Sequence, residues 1–442
     1  MLYVVSFLFG GVIKLDKVKV VGSLLISLFS LSLVFLKLAG SGGVPFSNQF
    51  YPLLLDEVSF LLVVLSFLIC YLSIYSGFRH VGGGELGKYV FLMMFILLML
   101  VILFCVGGFL GFFVIFEFVM MPMVFVIGVW GSQKERLTAN YYFFFYTLFG
   151  GLPLLLSVIF LLKKGDLFFL LMKFSCVGNL VSFGSLVIVI LAFLCKLPLY
   201  GVHIWLPKAH VEAPVGGSMV LAGLLLKMGG YGLMRCFMIL VVPLGWGKYA
   251  FFCFLMVGIL VPMFICFRQV DLKSFIAYSS VSHMSIALAG LVMYNVYGVL
   301  GGLLVFLGHG VISPMMFYSV NLMYERVGTR VVVGMGGFDS NMKFFFYYFL
   351  LVFVANMGYP PFVSFFGEVA LYLSVLGFSF GGLLFLFLFL FFSGVVMIYF
   401  LVKIFKGKEV GKKMMFLEDR EILIYWVGIY VLGLMSFLLK IF

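Results

Sequence analysis

Four ionisable side chains stand well inside long apolar runs: Glu117 in VIFEFVMMP, Lys196 in LAFLCKLPLY, Lys227 in GLLLKMGGYG and Glu368 in FFGEVALY. Four histidines, His203, His210, His283 and His309, lie in or near the same region, whereas His80 falls in a polar stretch. Carboxyl, amine and imidazole groups share one capacity: each exchanges a proton when its surroundings change the cost of its charge. Chemistry on a bound substrate is not indicated, because the chain shows no nucleophile with an adjacent base and no phosphate-binding glycine loop. Its seven cysteines, at positions 70, 105, 176, 195, 236, 253 and 266, are single and scattered, so neither a metal site nor a disulfide framework is predicted. The predicted chemistry is the movement of charge, with no cofactor and no metal held by this chain.

The elements that must hold these groups follow from composition. Hydrophobic residues make up 65% of the chain and charged residues 10%, with a mean hydropathy of +1.28. Soluble domains carry about 25% charged residues, which excludes that class. A bilayer-spanning helix needs roughly 20 mostly apolar residues, and such stretches recur from end to end. Backbone groups in lipid must be bonded internally, and long apolar runs without strict alternation favour helices over a barrel. The expectation is an all-α polytopic membrane protein of about fourteen transmembrane helices. They start near Leu2, Val18, Leu55, Tyr89, Phe109, Ala139, Phe183, Val215, Lys248, Leu272, Gly298, Met342, Phe378 and Ile422. The first apolar run begins at Met1 with no basic segment before it, so no cleaved leader is expected. The net charge of +12 is spread between spans, which suits loop orientation and anionic lipid rather than nucleic acid.

An ionisable side chain at membrane depth costs about 2.5 to 3.5 kcal/mol even on the lenient insertion scale, so each of the four implies a role and a partner. The helices that carry them are also interrupted. Pro198 and Gly201 follow Lys196 in the seventh span, and Pro360 and Pro361 precede Glu368 in the twelfth. A proline inside a helix removes a backbone hydrogen bond, and in lipid the freed carbonyl must find protein, water or an ion. The two breaks fall five spans apart in corresponding places, the pattern of inverted repeats. The predicted organisation is residues 1–88 for three N-terminal spans, 89–240 for a first five-helix repeat, 241–405 for a second, inverted one, and 406–442 for a loop and last span.

Each residue has a plainer alternative. Lys196 and Lys227 could snorkel to the headgroups. Glu117 could be only a structural partner for a lysine, and Glu368 could cap the half-helix that follows the proline break. His283 could be a satisfied core histidine, while Gly308 and Gly310 beside His309 favour a passage. Lys208, His210 and Glu212 could form an interfacial charge cluster. The many phenylalanines are expected to be mostly lipid-facing bulk without chemistry.

Four stretches carry a resemblance: KLPLYGVHIWLPKAHVEAPVGGSMVLAGLLLKMGGYGLMR (196–235), DLKSFIAYSSVSHMS (271–285), GHGVISPMMFYSVNLMYER (308–326) and GSQKERLTANYYFFFYTLFGGLPLLL (131–156). They closely resemble the chain 4 family of the respiratory NADH:ubiquinone oxidoreductase, complex I. The resemblance covers most of the chain from about Tyr89 to Tyr372 and weakens outside it. It implies one of three antiporter-like subunits that translocate protons, driven by quinone reduction elsewhere in the complex. FMN, iron-sulfur clusters and ubiquinone would then be bound by other subunits. The implied partners are those subunits, above all the two sister antiporter-like chains (subunits 2 and 5), with membrane lipids. The implied location is the mitochondrial inner membrane.

By the same resemblance, Glu117 matches the family's glutamate on the fifth span, Lys196 its paired lysine on the broken seventh and Lys227 the central lysine on the eighth. His309 matches the histidine on the eleventh and Glu368 the terminal glutamate on the twelfth, where the sister subunits use lysine. His203, His210 and His283 are supporting candidates. Two positions depart from the pattern: Tyr359 replaces the usual leucine before the prolines, and Ser364 stands where asparagine is usual. A hydroxyl still donates and accepts a hydrogen bond. The nearest rival is a subunit of a multisubunit cation/proton antiporter, which resembles these chains in the same spans. A redox carrier with haem-ligating histidines is more remote, since no attachment motif accompanies them.

Overall fold

The computed structural model describes residues 56–82, 84–163, 183–239, 245–335 and 343–405, and these are almost wholly helical. The expected spans starting near Leu2, Val18 and Ile422 lie outside the described residues. In order, the helices are α1 (Glu57–His80), α2 (Leu86–Cys105), α3 (Phe109–Phe118), α4 (Met120–Trp130), α5 (Arg136–Lys163) and α6 (Phe183–Lys196). Then come α7 (Trp205–Glu212), α8 (Val215–Val220), a π-helical turn (Leu221–Leu225) and α9 (Leu226–Ile239). After these follow α10 (Gly245–Cys266), α11 (Leu272–Met293), α12 (Val296–Val327), α13 (Lys343–Asn356), α14 (Val363–Leu376) and α15 (Phe380–Phe405).

Among the described residues nine segments are long and apolar enough to cross a membrane, with α13 and α14 as shorter apolar helices. The chain is therefore a multi-pass α-helical membrane protein. The helix starts fall within a few residues of the expected ones because charges and turn formers punctuate the apolar runs. Asp56 precedes α1, and its backbone N–H donates to Ser59 Oγ at 2.7 Å. The seventh span breaks as expected: α6 stops at Lys196, immediately before Leu197 and Pro198. Gly201, at φ +106°, makes the turn that a residue with a Cβ rarely adopts. The twelfth breaks between Asn356 and Val363, around Pro360 and Pro361.

The chain divides into two compact units. The first comprises residues 1–196 and 212–241, and its described core is built by α1 to α6, α8, the π turn and α9. Rings fill its centre: Phe104 meets Tyr231 edge-on at 5.3 Å, and Phe116 meets Phe193 the same way at 5.4 Å. Gly232 of α9 lies so close to the Phe193 ring that any side chain there would collide with it. The second unit comprises residues 197–211 and 242–442 and contains α7 and α10 to α15. Here α12 packs through glycines: a Cβ on Gly298 would meet the Gly290 carbonyl of α11, and one on Gly301 would come within 2.9 Å of the Gly367 carbonyl of α14. Small residues allow such close backbone approach, and in lipid van der Waals contact is the main attraction left.

Candidate functional site

In the first unit, α3 and α4 form one span, Phe109–Trp130, joined through Val119. Pro122 cannot donate to the Phe118 carbonyl one turn back, so the span is irregular just after Glu117. Lys196, at the C-terminal end of α6, reaches this place. Its Nζ lies 3.1 Å from Glu117 Oε1 and donates a hydrogen bond of 2.8 Å to the Phe116 carbonyl. The same ammonium stands 3.3 Å above the centre of the Phe116 ring. Lys196 is buried and the Glu117 side chain is 21% exposed, so the cation is enclosed and its anion retains some contact with the surroundings. The carboxylate supplies the opposite charge, while the Phe116 carbonyl and ring hold the amine.

Lys227 lies at the start of α9, immediately after the π turn. Its Nζ donates to the Ala222 carbonyl within that turn at 2.5 Å. Both lysines are fully buried within this chain.

In the second unit, Glu368 is the sixth residue of α14 and is buried, and neither carboxylate oxygen has a hydrogen-bond partner. It does not cap the half-helix, because the first turn of α14 has no acid and Phe362 occupies the cap position. Ser364 uses its hydroxyl to span the break, donating to the Ala355 carbonyl at 2.9 Å. Tyr372, one turn beyond Glu368, likewise has a hydroxyl without a hydrogen-bond partner.

The histidines of this unit separate into distinct settings. The rings of His283 and His309, both buried, lie 5.8 Å apart at 43°, and His283 also meets Phe389 edge-on at 5.4 Å. His203 stacks on Tyr200 at 5.1 Å and accepts the Gly201 N–H at Nδ1. His210 is stacked on Phe317 at 4.6 Å. Lys208 is exposed and His210 is buried, and Glu212, which belongs to the first unit, is buried as well. Among the described residues no cluster of three or more His, Cys, Asp or Glu is arranged to hold a metal.

Two contributors escaped the sequence. Phenylalanine was expected to be lipid-facing bulk, yet Phe116 supplies both a carbonyl and a ring to Lys196. Its one signal was adjacency to Glu117. The π turn before Lys227 left no mark in LAGLLLK, although such turns favour functional positions.

These features define a polytopic helical membrane protein with broken helices and ionisable side chains buried among them. Residues 106–398 match the family described as NADH:quinone oxidoreductase/Mrp antiporter, TM, and residues 1–105 match NADH-ubiquinone oxidoreductase chain 4, amino terminus. The chain is 37% identical over 365 residues to NADH-ubiquinone oxidoreductase chain 4 of Carassius auratus, covering 81% of this chain and 78% of the relative. Its fold is similar to a chain of respiratory complex I from Thermus thermophilus with bound NADH, with a TM-score of 0.85, 24% identity and coverage of 99% and 94%. It is also similar to a chain of the Mrp complex from Dietzia sp. DQ12-45-1b, with a TM-score of 0.81, 16% identity and coverage of 94% and 81%. The chain belongs to the NADH-ubiquinone oxidoreductase chain 4 family.

Proposed function

We propose that this chain is a proton-translocating membrane subunit of an NADH:ubiquinone oxidoreductase, in which Glu117, Lys196, Lys227, His309 and Glu368 carry the protons. His203, His210 and His283 assist. The observation that carries this reading is the Glu117–Lys196 pair, a buried cation 3.1 Å from its partly exposed counter-charge. Burial disfavours a charged group and an opposite charge restores it, so moving Glu117 by a few ångströms changes whether Lys196 keeps its proton. Separating a buried pair costs roughly 3 to 5 kcal/mol, and the partial exposure of Glu117 places this one at the low end. That still exceeds the roughly 2.3 kcal/mol needed to move one charge against 100 mV. Lys227 receives the proton next, and Glu368 serves as the carrier of the second unit.

On this reading residues 89–240 and 241–405 are two inverted repeats, each with one broken helix. The working partners are the other subunits of the complex, particularly the two sister antiporter-like chains, and the location is the mitochondrial inner membrane. Flavin, iron-sulfur clusters and quinone belong to those other subunits. The test is to isolate the native assembly containing this chain. Flavin and iron-sulfur subunits should co-purify, and NADH oxidation should drive proton uptake or release in sealed vesicles. An assembly without those subunits that exchanges cations for protons without NADH would instead identify a cation/proton antiporter.

A further inference from the structure

We infer that Gly151 and Gly358 are positioning residues that seat the carboxylates of Glu117 and Glu368, an assignment that rests on reading these two acids as proton carriers. A Cβ built on Gly151 would stand 2.5 Å from Glu117 Oε1, 2.7 Å from Cδ and 3.1 Å from Oε2. A Cβ built on Gly358 would stand 2.7 Å from both Cδ and Oε1 of Glu368, and nearer still to Oε2. In each case the three nearest atoms are one carboxylate. Among the described glycines only these two have that surrounding, and the acids concerned are the two that stand deep in apolar sequence. Packing glycines look different: Gly298 and Gly301 face carbonyl oxygens and aliphatic side chains.

The local structure explains how each seat forms. On α5, a Cβ built on Gly150 would stand 2.7 Å from Cβ of Cys195, so its absence lets in the helix that ends at Lys196, and Gly151 beside it admits the Glu117 carboxylate. Two adjacent glycines thus set the approach of both members of the ion pair. Gly358 lies in the break between α13 and α14 with φ +72°. The backbone there turns in a way that favours glycine, and the resulting space is filled by Glu368. Bare backbone on one side limits where each carboxylate can stand, so a methyl group at either position displaces the charge itself.

The test is a pair of mutant cycles in the assembled complex, reading coupled NADH oxidation, proton output in sealed vesicles and thermal inactivation. Gly151→Ala should lower coupled turnover about fivefold. Adding Glu117→Asp, which withdraws the carboxylate by roughly 1.5 Å, should restore most of that loss and the thermal midpoint. At the second seat Gly358→Asn is used, because asparagine tolerates left-handed backbone while still carrying a Cβ, and Glu368→Asp should rescue it. A purely structural glycine gives losses that add, with no rescue from the aspartate. Additive losses in both cycles, while Glu117→Gln and Glu368→Gln alone impair pumping, would overturn the seats and leave the proton carriers standing. Normal pumping by both glutamine variants would overturn the carriers and the positioning role together.

Discussion

Lys196 is anchored by one residue and charged against the next: its Nζ donates to the carbonyl of Phe116 at 2.8 Å and lies 3.1 Å from Oε1 of Glu117. The two interactions are separable. Withdrawal of the carboxylate leaves the amine in place, held by a neutral acceptor and a ring, so the change falls on the energy of its charge rather than on its position.

Lys196→Met should therefore leave the complex assembled and abolish most coupled turnover. Methionine keeps the length and bulk of the side chain and removes the titrating group. A loss of about tenfold or more in NADH oxidation coupled to vesicle acidification is expected, corresponding to about 1.4 kcal/mol. Native gels report assembly. Wild-type rates in an assembled variant would reduce the pair to a structural contact.

Phe116→Leu should weaken the same site without touching either charge. The ring lies 3.3 Å from the ammonium and is wholly buried, where a cation–π contact contributes about 2 kcal/mol. Leucine retains the backbone carbonyl and most of the volume. Turnover should fall several-fold, less than in Lys196→Met, and the two changes together should be no worse than Lys196→Met alone. Losses that multiply in the double variant would show that Phe116 acts through packing and not through the cation.

Gly298→Val should prevent assembly of the second unit. The added atoms would run into the Gly290 carbonyl, a backbone group that cannot turn aside, and overpacking of this kind costs about 1 to 3 kcal/mol or more. Gly394→Val on α15 is the control, since nothing lies within 4 Å of a Cβ there. Native gels should show complex for the control and none for Gly298→Val; complex in both would mean that α11 and α12 do not approach as closely as described.

The spans and their breaks were legible because they depend on composition along the chain. Apolar runs end at charges, and Pro198, Pro360 and Pro361 cannot continue a helix. Burial of Lys196, Lys227 and Glu368 was legible for the same reason. Sidedness was not. A soluble helix marks its outer face with polar residues, but a helix in lipid is apolar all round. Phe112 is wholly buried and Phe149 is 75% exposed, with no difference in residue type to separate them. The role of Phe116 and the seat at Gly151 depend on which helix faces which, and periodicity carries no such information here.

Glu368→Gln should reduce proton output more than Glu368→Asp does. Glutamine preserves shape and hydrogen-bonding capacity but can neither release a proton nor carry charge, whereas aspartate keeps both properties and shortens the reach by one methylene. The carboxylate is buried with no hydrogen-bond partner and lies beyond the first turn of α14, so a helix cap does not explain its presence. An acid of this kind is costly to bury, and replacing it by a neutral amide should leave the fold intact or more stable. Assembly and thermal inactivation should thus be unchanged or improved in Glu368→Gln while protons translocated per NADH oxidised fall. The measurement is that stoichiometry in sealed vesicles, with assembly checked on native gels. Equal, near wild-type stoichiometry in assembled Gln and Asp variants would remove Glu368 from the proton path and leave the second unit without the carrier assigned to it.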